Sequence, residues 1–527
     1  MSSDRMTSPG DAARRDSVGA GLRRSALRRA SAVALRFGDR TWTYAAFDRA
    51  ADRIARAFVA AGLRPGDRVA AYGRNSDAYL LTWFGATRAG LIHVPVNYAL
   101  RPDELGYIVR QSGASALIAD VALMPSVNAC TDAARLALRG TFAAGEGAFD
   151  VLAFAQETAG DDAPIDLANG EGIAQILYTS GTTADPKGAV MTHAAFAAHY
   201  ASCIASADMF AHDRSLDALP LYHSAQMHVF MNPHLQLGAE SVLIEAPEPA
   251  LVLRLIEEHR ITSFFAPPTV WIALLRHDDF DRRDLRSLER TYYGASIMPV
   301  PVLEELRRRL PGAHAYNLYG QSEIGPLATV LRPEEHDARP ASCGRPVLNV
   351  ETRVVDEAMN DVAPGGAGEI VHRSPQLLLR YWDKPEETAE AFRGDWFHSG
   401  DVAIRDDDGY LFVVDRTKDI INTGGVTVSS REVEEALFTH PSVYEVAVIA
   451  LPDPRWVEAV TAVVAVRPGA AVSEDELIAH ARGTLAPFKV PKRVHFVDAL
   501  PRNTAGKLLK RDLRAKYASP LIPSSRG

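Results

Sequence analysis

Residues 178–188 read Tyr178-Thr179-Ser180-Gly181-Thr182-Thr183-Ala184-Asp185-Pro186-Lys187-Gly188. Four aliphatic hydroxyls, two glycines and one lysine fall within eleven residues. Such a loop, following the apolar strand signal of Ile173 to Leu177, can wrap phosphate oxygens with backbone N–H groups, hydroxyls and one cationic tip. It is not a Walker A loop, because the Gly-Lys-Ser/Thr ending is absent. Lysine usage points to the same place. Of 57 basic residues only eight are lysines, and Lys187 is the only one in the first 383 residues. Where arginine is the default, a lysine marks a position that uses a slim, mobile point charge rather than a planar fork.

The elements that must hold this loop are legible around it. Ser31 to Phe37 and Gly38 to Tyr44 read as strand, tight turn, strand. Phe47, Ile54, Phe58 and Ala61 recur near helical period, and Arg64-Pro65-Gly66-Asp67 ends that helix. Val69–Gly73 and Leu91–Val96 read as short strands around a helix at 78–89, and the same rhythm returns at 241–310. Short apolar strands alternating with helices predict an α/β fold with largely parallel sheets covered on both faces. Near 415 the texture changes. Gly409–Val414 predicts a strand running into Asp415-Arg416-Thr417-Lys418-Asp419. A Gly-Gly turn, a helix at 430–440, strands at 443–451 and 460–466 and a helix at 473–485 follow. Six of the eight lysines lie in the last 110 residues. The expected organisation is a flexible leader at 1–29, a large domain at 30–414, a hinge at 415–419 and a small mobile α+β domain at 420–527.

Bulk composition narrows the classes. At 527 residues the chain exceeds one ordinary core. A net charge of −9 argues against general nucleic-acid binding. Cys130, Cys203 and Cys343 are distant and odd in number, which fits a reducing, cytoplasmic setting rather than a disulfide or zinc framework. No apolar run is long enough to span a membrane. The arginine-rich stretch from Arg14 to Arg36 reads either as a transit peptide or as a leader followed by an amphipathic helix. Oligomeric state stays open.

With these residues in hand the chain resembles the adenylate-forming enzymes, the acyl-CoA synthetase or AMP-binding superfamily, and most of all its bacterial fatty- and aryl-acyl-CoA ligases. The resemblance covers roughly 30–516 and rests on several motifs in order. It implies that a small carboxylic acid attacks the α-phosphate of ATP, giving an acyl-adenylate and pyrophosphate, and that after rotation of the small domain CoA displaces AMP. It implies that Thr179, Ser180, Gly181, Thr182, Thr183 and Lys187 hold the phosphates. It assigns adenine and Mg2+ to the Tyr316–Glu323 segment, with Asn317, Tyr319, Gly320, Gln321 and Ser322 near the nucleotide and Glu323, with Thr179, at the metal. Gly294-Ala295-Ser296 matches the lining of the adenine and acyl pockets. Asp401, after Trp396-Phe397-His398-Ser399-Gly400, matches the ribose acceptor, with Arg416 as second contact. Trp396 reads as an acyl gate or a core cap. Lys507, in Pro501-Arg502-Asn503-Thr504-Ala505-Gly506-Lys507, matches the lysine that holds carboxylate and α-phosphate in line. Lys418 matches the hinge, and His223, after Leu219-Pro220-Leu221-Tyr222, the histidine beside the acyl and thiol tunnel. His228 and His234 carry no motif and read as structural.

Two departures stand out. Ala184 occupies a position that is usually glycine. After Gly424 and Gly425, which match the thiol approach, Val426-Thr427 replaces the common polar pair. The first half-reaction therefore reads as intact. The acceptor is CoA or, alternatively, a carrier-protein thiol, an amine or nitrite. A nucleotide sensor without turnover would lack Lys187, Glu323, Asp401 or Lys507, and all are present.

Overall fold

The computed structural model describes residues 16–143, 149–157, 163–179, 186–296, 298–416, 419–423, 426–453, 455–502 and 508–518. The chain divides into two compact units, one of Met1–Glu351 with His372–Phe397 and one of Thr352–Val371 with His398–Gly527.

The first unit holds two sheets. In the six-stranded sheet the order is Leu138–Thr141, Ala116–Ala119, Arg68–Tyr72, Ile92–Val96, Ile173–Thr179, Lys187–Thr192. Its first five strands run parallel and the last is antiparallel. The nine-stranded sheet is parallel from Val33–Phe37 through Glu240–Leu243, Arg214–Asp217, Ser263–Phe265 and Arg290–Gly294 to His314–Tyr319, with antiparallel strands at its edges. The alternation expected from the sequence is thus an α/β architecture. The helix Tyr44–Ala60 starts where the Thr43 hydroxyl accepts from Ala46 N, and it buries Phe47, Ile54 and Phe58 completely. Asp77–Arg88, capped by Ser76, is buried along its whole length because it lies between other layers rather than on the surface.

Residues 18–28 fall within the stretch expected as a leader, yet Val18–Arg28 is a helix. Ser17 caps it, and Val18, Leu22 and Ala26 are buried as an i, i+4, i+8 stripe. Residues 1–15 lie outside the described residues. The sequence run 178–188 ends inside Lys187–Thr192. That segment is a strand, and Thr192 caps the following helix His193–Ser206.

The second unit contains the sheet Val426–Val428, Ile421–Thr423, Val457–Val466, Val443–Asp453, with Arg493–Val497 beside Val457–Val466. The helices Ser430–Phe438 and Glu474–Arg482 accompany it. Val433, Leu437, Val448, Val460, Val464, Leu477 and Ala481 form its core. No helix among the described residues is long and apolar enough to cross a membrane.

Candidate active site

The loop at 180–185 lies outside the described residues, so nothing is placed for Ser180, Gly181, Thr182, Thr183 or Ala184. Its two ends are fixed. Ile173–Thr179 and Lys187–Thr192 pair antiparallel, and Thr179 stands opposite Lys187. Thr179 Oγ1 donates to Glu323 Oε1 at 3.3 Å, so two motifs 144 residues apart meet. Tyr381 OH donates to the same oxygen at 3.1 Å. The Lys187 ammonium sits 5.4 Å from the centre of the Tyr381 ring. Burial, then the nearby Glu323 charge, hold the Tyr381 phenol far above its ordinary range, so it remains a donor. Sequence reasoning missed Tyr381. Its only signal is an aromatic pair with Trp382, and no local pattern joins it to Glu323.

Thr179 and Glu323 offer oxygen donors only. That set suits a hard divalent cation such as Mg2+, which keeps waters and takes other ligands from phosphate. Among the described residues no group of three or more His, Cys, Asp or Glu side chains is gathered into a cage of its own.

Ser322 Oγ lies 2.8 Å from Ser224 Oγ, which links the Glu323 segment to the His223 segment. Asn75 clamps the chain entering His223, accepting from Leu221 N at 2.7 Å and donating to Leu219 O at 2.8 Å. Past His223 the chain forms a π-helical stretch, Ala225–Met231, a wide turn that often marks functional sites. Buried polar side chains hold it. Gln226 accepts from Leu219 N and donates to Asp217. Asn232 donates to Met227 O and accepts from the Trp83 indole. His228 belongs to a neutral chain: Tyr200 OH lies 2.8 Å from His228 Nδ1, His228 Nε2 lies 2.7 Å from Gln175 Oε1, and Gln175 Nε2 lies 2.9 Å from His93 Nδ1. Burial depresses His93 to about 3 and pushes His228 well below the ordinary imidazole value. His228 and His234 are completely buried, whereas His223 is partly exposed.

In the nucleotide segment, Gly294 must be glycine, since a Cβ there would lie 2.3 Å from Leu318 O. Ala295 follows at φ 62° and is exposed with Ser296, so the chain leaves the sheet in a conformation that costs an alanine energy. Gly320 allows close passage of Pro326 O, which a Cβ would meet at 1.9 Å. Asn317 uses its amide on Ser342 O at 2.8 Å. Gln321 Nε2 is buried with no hydrogen-bond partner among the described residues. Tyr319 is half-buried. Trp396 is buried with the Arg373 guanidinium 4.5 Å from its ring.

In the second unit Asp401 is buried and is the cross-strand neighbour of Arg416. Gly400, at φ 70°, bends the strand just before it, and its N–H donates to Glu369 Oε1 at 3.1 Å. Ser399 Oγ accepts from Asp401 N at 3.1 Å and donates to Ile370 O at 2.6 Å. Asp415 caps the next helix, accepting from Ser430 N and Ser430 Oγ, both at 2.7 Å. Lys510 donates to Ser430 Oγ at 2.6 Å and pairs with Glu434 at 2.8 Å, while Arg514 pairs with Asp419. Burial works against the Lys510 charge, but Glu434 and Asp415 outweigh it and raise the ammonium above its ordinary range. Lys418, Gly424, Gly425 and Lys507 lie outside the described residues. Their flanks are placed. Ile421–Thr423 and Val426–Val428 pair with Thr423 opposite Val426. Arg502 forms a bridge with Leu508 and an ion pair with Glu445 at 3.0 Å.

Comparison with known proteins gives the family of the chain. The AMP-binding enzyme family matches residues 22–382, and the AMP-binding enzyme C-terminal domain matches 432–507. The chain belongs to the AMP-binding, adenylate-forming enzymes. It is 38% identical over 487 residues to a feruloyl-CoA synthase of Amycolatopsis, covering 92% of this chain and 96% of the relative. It is 34% identical over 489 residues to the fatty acid–acyl-carrier-protein ligase ScoC of Streptomyces coeruleorubidus, covering 91% and 92%. The ATP-bound crystal structure of MatB from Rhodopseudomonas palustris superposes with a TM-score of 0.88 at 29% identity, covering 95% of this chain and 99% of that one.

Proposed function

We propose that this protein is an ATP-dependent, AMP-forming acyl-CoA ligase of the cytoplasm that activates a fatty or aryl carboxylic acid. The observation that carries this reading is the chain of contacts from Lys187 and Tyr381 through Glu323 and Thr179 to Ser322, Ser224 and the His223 segment. It joins a place for polyphosphate and metal to a place for the acid. In the first step a carboxylate oxygen attacks the α-phosphorus and pyrophosphate leaves. Lys187 and the hydroxyls of 179–183 compensate its charge, and Mg2+, when bound at Glu323 and Thr179, neutralises phosphate oxygens. Lys507 holds the two repelling anions in line. Asp401, with Arg416, takes the ribose hydroxyls, and a carboxylate suits two adjacent O–H donors. The small domain then turns about Lys418. The thiol passes Gly424 and Gly425 to the acyl carbon, and AMP leaves.

The relative with a feruloyl-CoA activity supports an aryl acid and CoA. An aromatic and cationic patch on the second unit suits the nucleotide end of CoA. There Arg455 and Lys492 lie 4.8 and 5.0 Å from the Trp456 ring, and Phe488 is exposed beside Lys489. The carrier-protein relative and the valine at 426 keep one second reading alive, a different acceptor.

The test is pyrophosphate release over cinnamic, benzoic and fatty acids, with CoA, a carrier-protein thiol, amines or nitrite as second substrate. We expect acid-dependent release that CoA accelerates. Adenylate formation that CoA leaves unchanged and another nucleophile accelerates would replace the acceptor; no release with any acid would sink the reading. Lys507→Ala should abolish adenylation while largely sparing thioester formation from supplied acyl-adenylate.

A further inference from the structure

Tyr381 lies between the two charges that define the phosphate end of the site. Its backbone is zipped along the lysine-bearing strand: Tyr381 bridges Ala189, Trp382 N donates to Gly188 O at 2.8 Å, and Leu379 N donates to Val190 O at 2.8 Å. Thr388 Oγ1 accepts from Tyr381 N at 3.0 Å, and the side chain is only 8% exposed. The ring therefore has little freedom. One end, the hydroxyl, is on Glu323 Oε1 at 3.1 Å. One face is under the Lys187 ammonium at 5.4 Å. Among the described residues no ion pair joins Lys187 to Glu323, although both converge on the same ring. A lysine and a carboxylate that pair directly are each less free to take a ligand.

We propose that Tyr381 is a positioning residue that keeps Lys187 and Glu323 apart and aimed. Its hydroxyl joins Thr179 on Oε1 of Glu323, which turns Oε2 toward a divalent cation. Its ring parks the lysine ammonium by a cation–π contact that polyphosphate oxygens readily outcompete. The inference rests on the assignment of Lys187 to phosphate and Glu323 to metal made above.

Two substitutions separate the two contacts. Tyr381→Phe keeps the ring and removes the hydroxyl. Tyr381→Leu removes both. On the full chain, Mn2+ binding is measured by electron paramagnetic resonance with a non-cleavable α,β-methylene ATP analogue, and analogue and AMP affinities are measured by calorimetry without metal. Tyr381→Phe should weaken Mn2+ binding about tenfold, the scale of one hydrogen bond to a charged group, while analogue affinity without metal stays within twofold. Tyr381→Leu should weaken Mn2+ at least as much and also weaken the analogue about fivefold, with AMP unchanged because it lacks the β- and γ-phosphates. Identical profiles for the two variants, unchanged Mn2+ binding in both, or AMP affinity falling in parallel would overturn the proposal. Glu323→Gln and Lys187→Ala serve as references. If they leave Mn2+ and analogue binding at parental values, the site assignment itself fails and the role of Tyr381 falls with it; if only the Tyr381 variants stay at parental values, the role fails and the assignment stands.

Discussion

The two units hold different polar networks, although the first also buries ion pairs such as Arg88 with Asp52 and Arg290 with Asp213. The first threads its core with neutral hydrogen bonds, from Tyr200 through His228 and Gln175 to His93. The second uses full charges, with Lys510 on Glu434 and Ser430, Asp415 on the same serine, and Arg514 on Asp419. A neutral chain is cheap to desolvate but fails as soon as a proton is forced on it. A charged cluster is dearer to bury, yet it fastens segments 80 and 95 residues apart and leaves a severe penalty when one member goes. The first unit is thus sensitive to acid through these histidines. The second unit is sensitive to the loss of single charges at this cluster.

The largest effect should come from cutting one charge out of the second unit. Lys510→Met strands Glu434 and should cost about 3 kcal/mol in chemical denaturation. That is the low end for a buried pair, because the two side chains keep 15% and 21% exposure. Adding Glu434→Leu should recover most of the loss. If the double variant is no better than the single, the cluster is not an electrostatic unit and the comparison breaks.

Acid should single out the first unit. His93 and His199 are depressed to about 3, His193 to about 4 and His228 well below its ordinary value, all mainly by burial and all from 6.5. A histidine with a depressed folded value stays neutral in the native state. Below 6.5 the unfolded chain takes up protons the folded chain refuses, so this stability is complete above 6.5 and drains away as pH falls toward the folded values. His228→Gln should flatten the dependence by about 1.4 kcal/mol per pH unit between pH 6 and 5, measured as denaturation midpoints. An unchanged slope would show that His228 is already protonated in the folded state.

Two smaller effects sharpen the contrast within the second unit. Val457 opens its strand at φ 67°, a β-branched residue in left-handed backbone, and is 65% exposed. Val457→Gly should stabilise by about 1 kcal/mol, since relief of strain exceeds the added chain entropy; a loss in the melting midpoint would mean that the side chain packs usefully. Lys489 pairs with a half-exposed Glu432 at 2.6 Å. Lys489→Met should cost only about 0.5 kcal/mol, and the difference should vanish in high salt.

Much of this was legible in the sequence wherever chemistry is local. The 178–188 run, the Tyr316–Glu323 segment and the Asp401 motif each announce themselves within a dozen residues. The structure brings Thr179, Glu323 and Ser322 together with the His223 segment. The paired strands likewise set Asp401 opposite Arg416. Tyr381 was not legible, because its meaning lies in a contact with a carboxylate 58 residues away. Nor was the π-helical stretch at 225–231, since its residues read equally well as an ordinary buried helix and only Gln226, His228 and Asn232, through distant partners, decide the wider turn. The strand Lys187–Thr192 was hidden because its pairing with Ile173–Thr179, not its own short apolar run, makes it a strand.

That antiparallel pairing has a consequence for how this enzyme can diverge. In a strand–loop–helix phosphate site, a change in loop length drags the helix start, and with it the anion-binding amides, to a new place. Here the chain returns alongside itself, so Thr179 and Lys187 remain opposite each other whatever lies between them. Doubling the intervening length costs only about 0.6 kcal/mol of closure entropy. A change in the number of residues between them therefore leaves the lysine and the threonine in register.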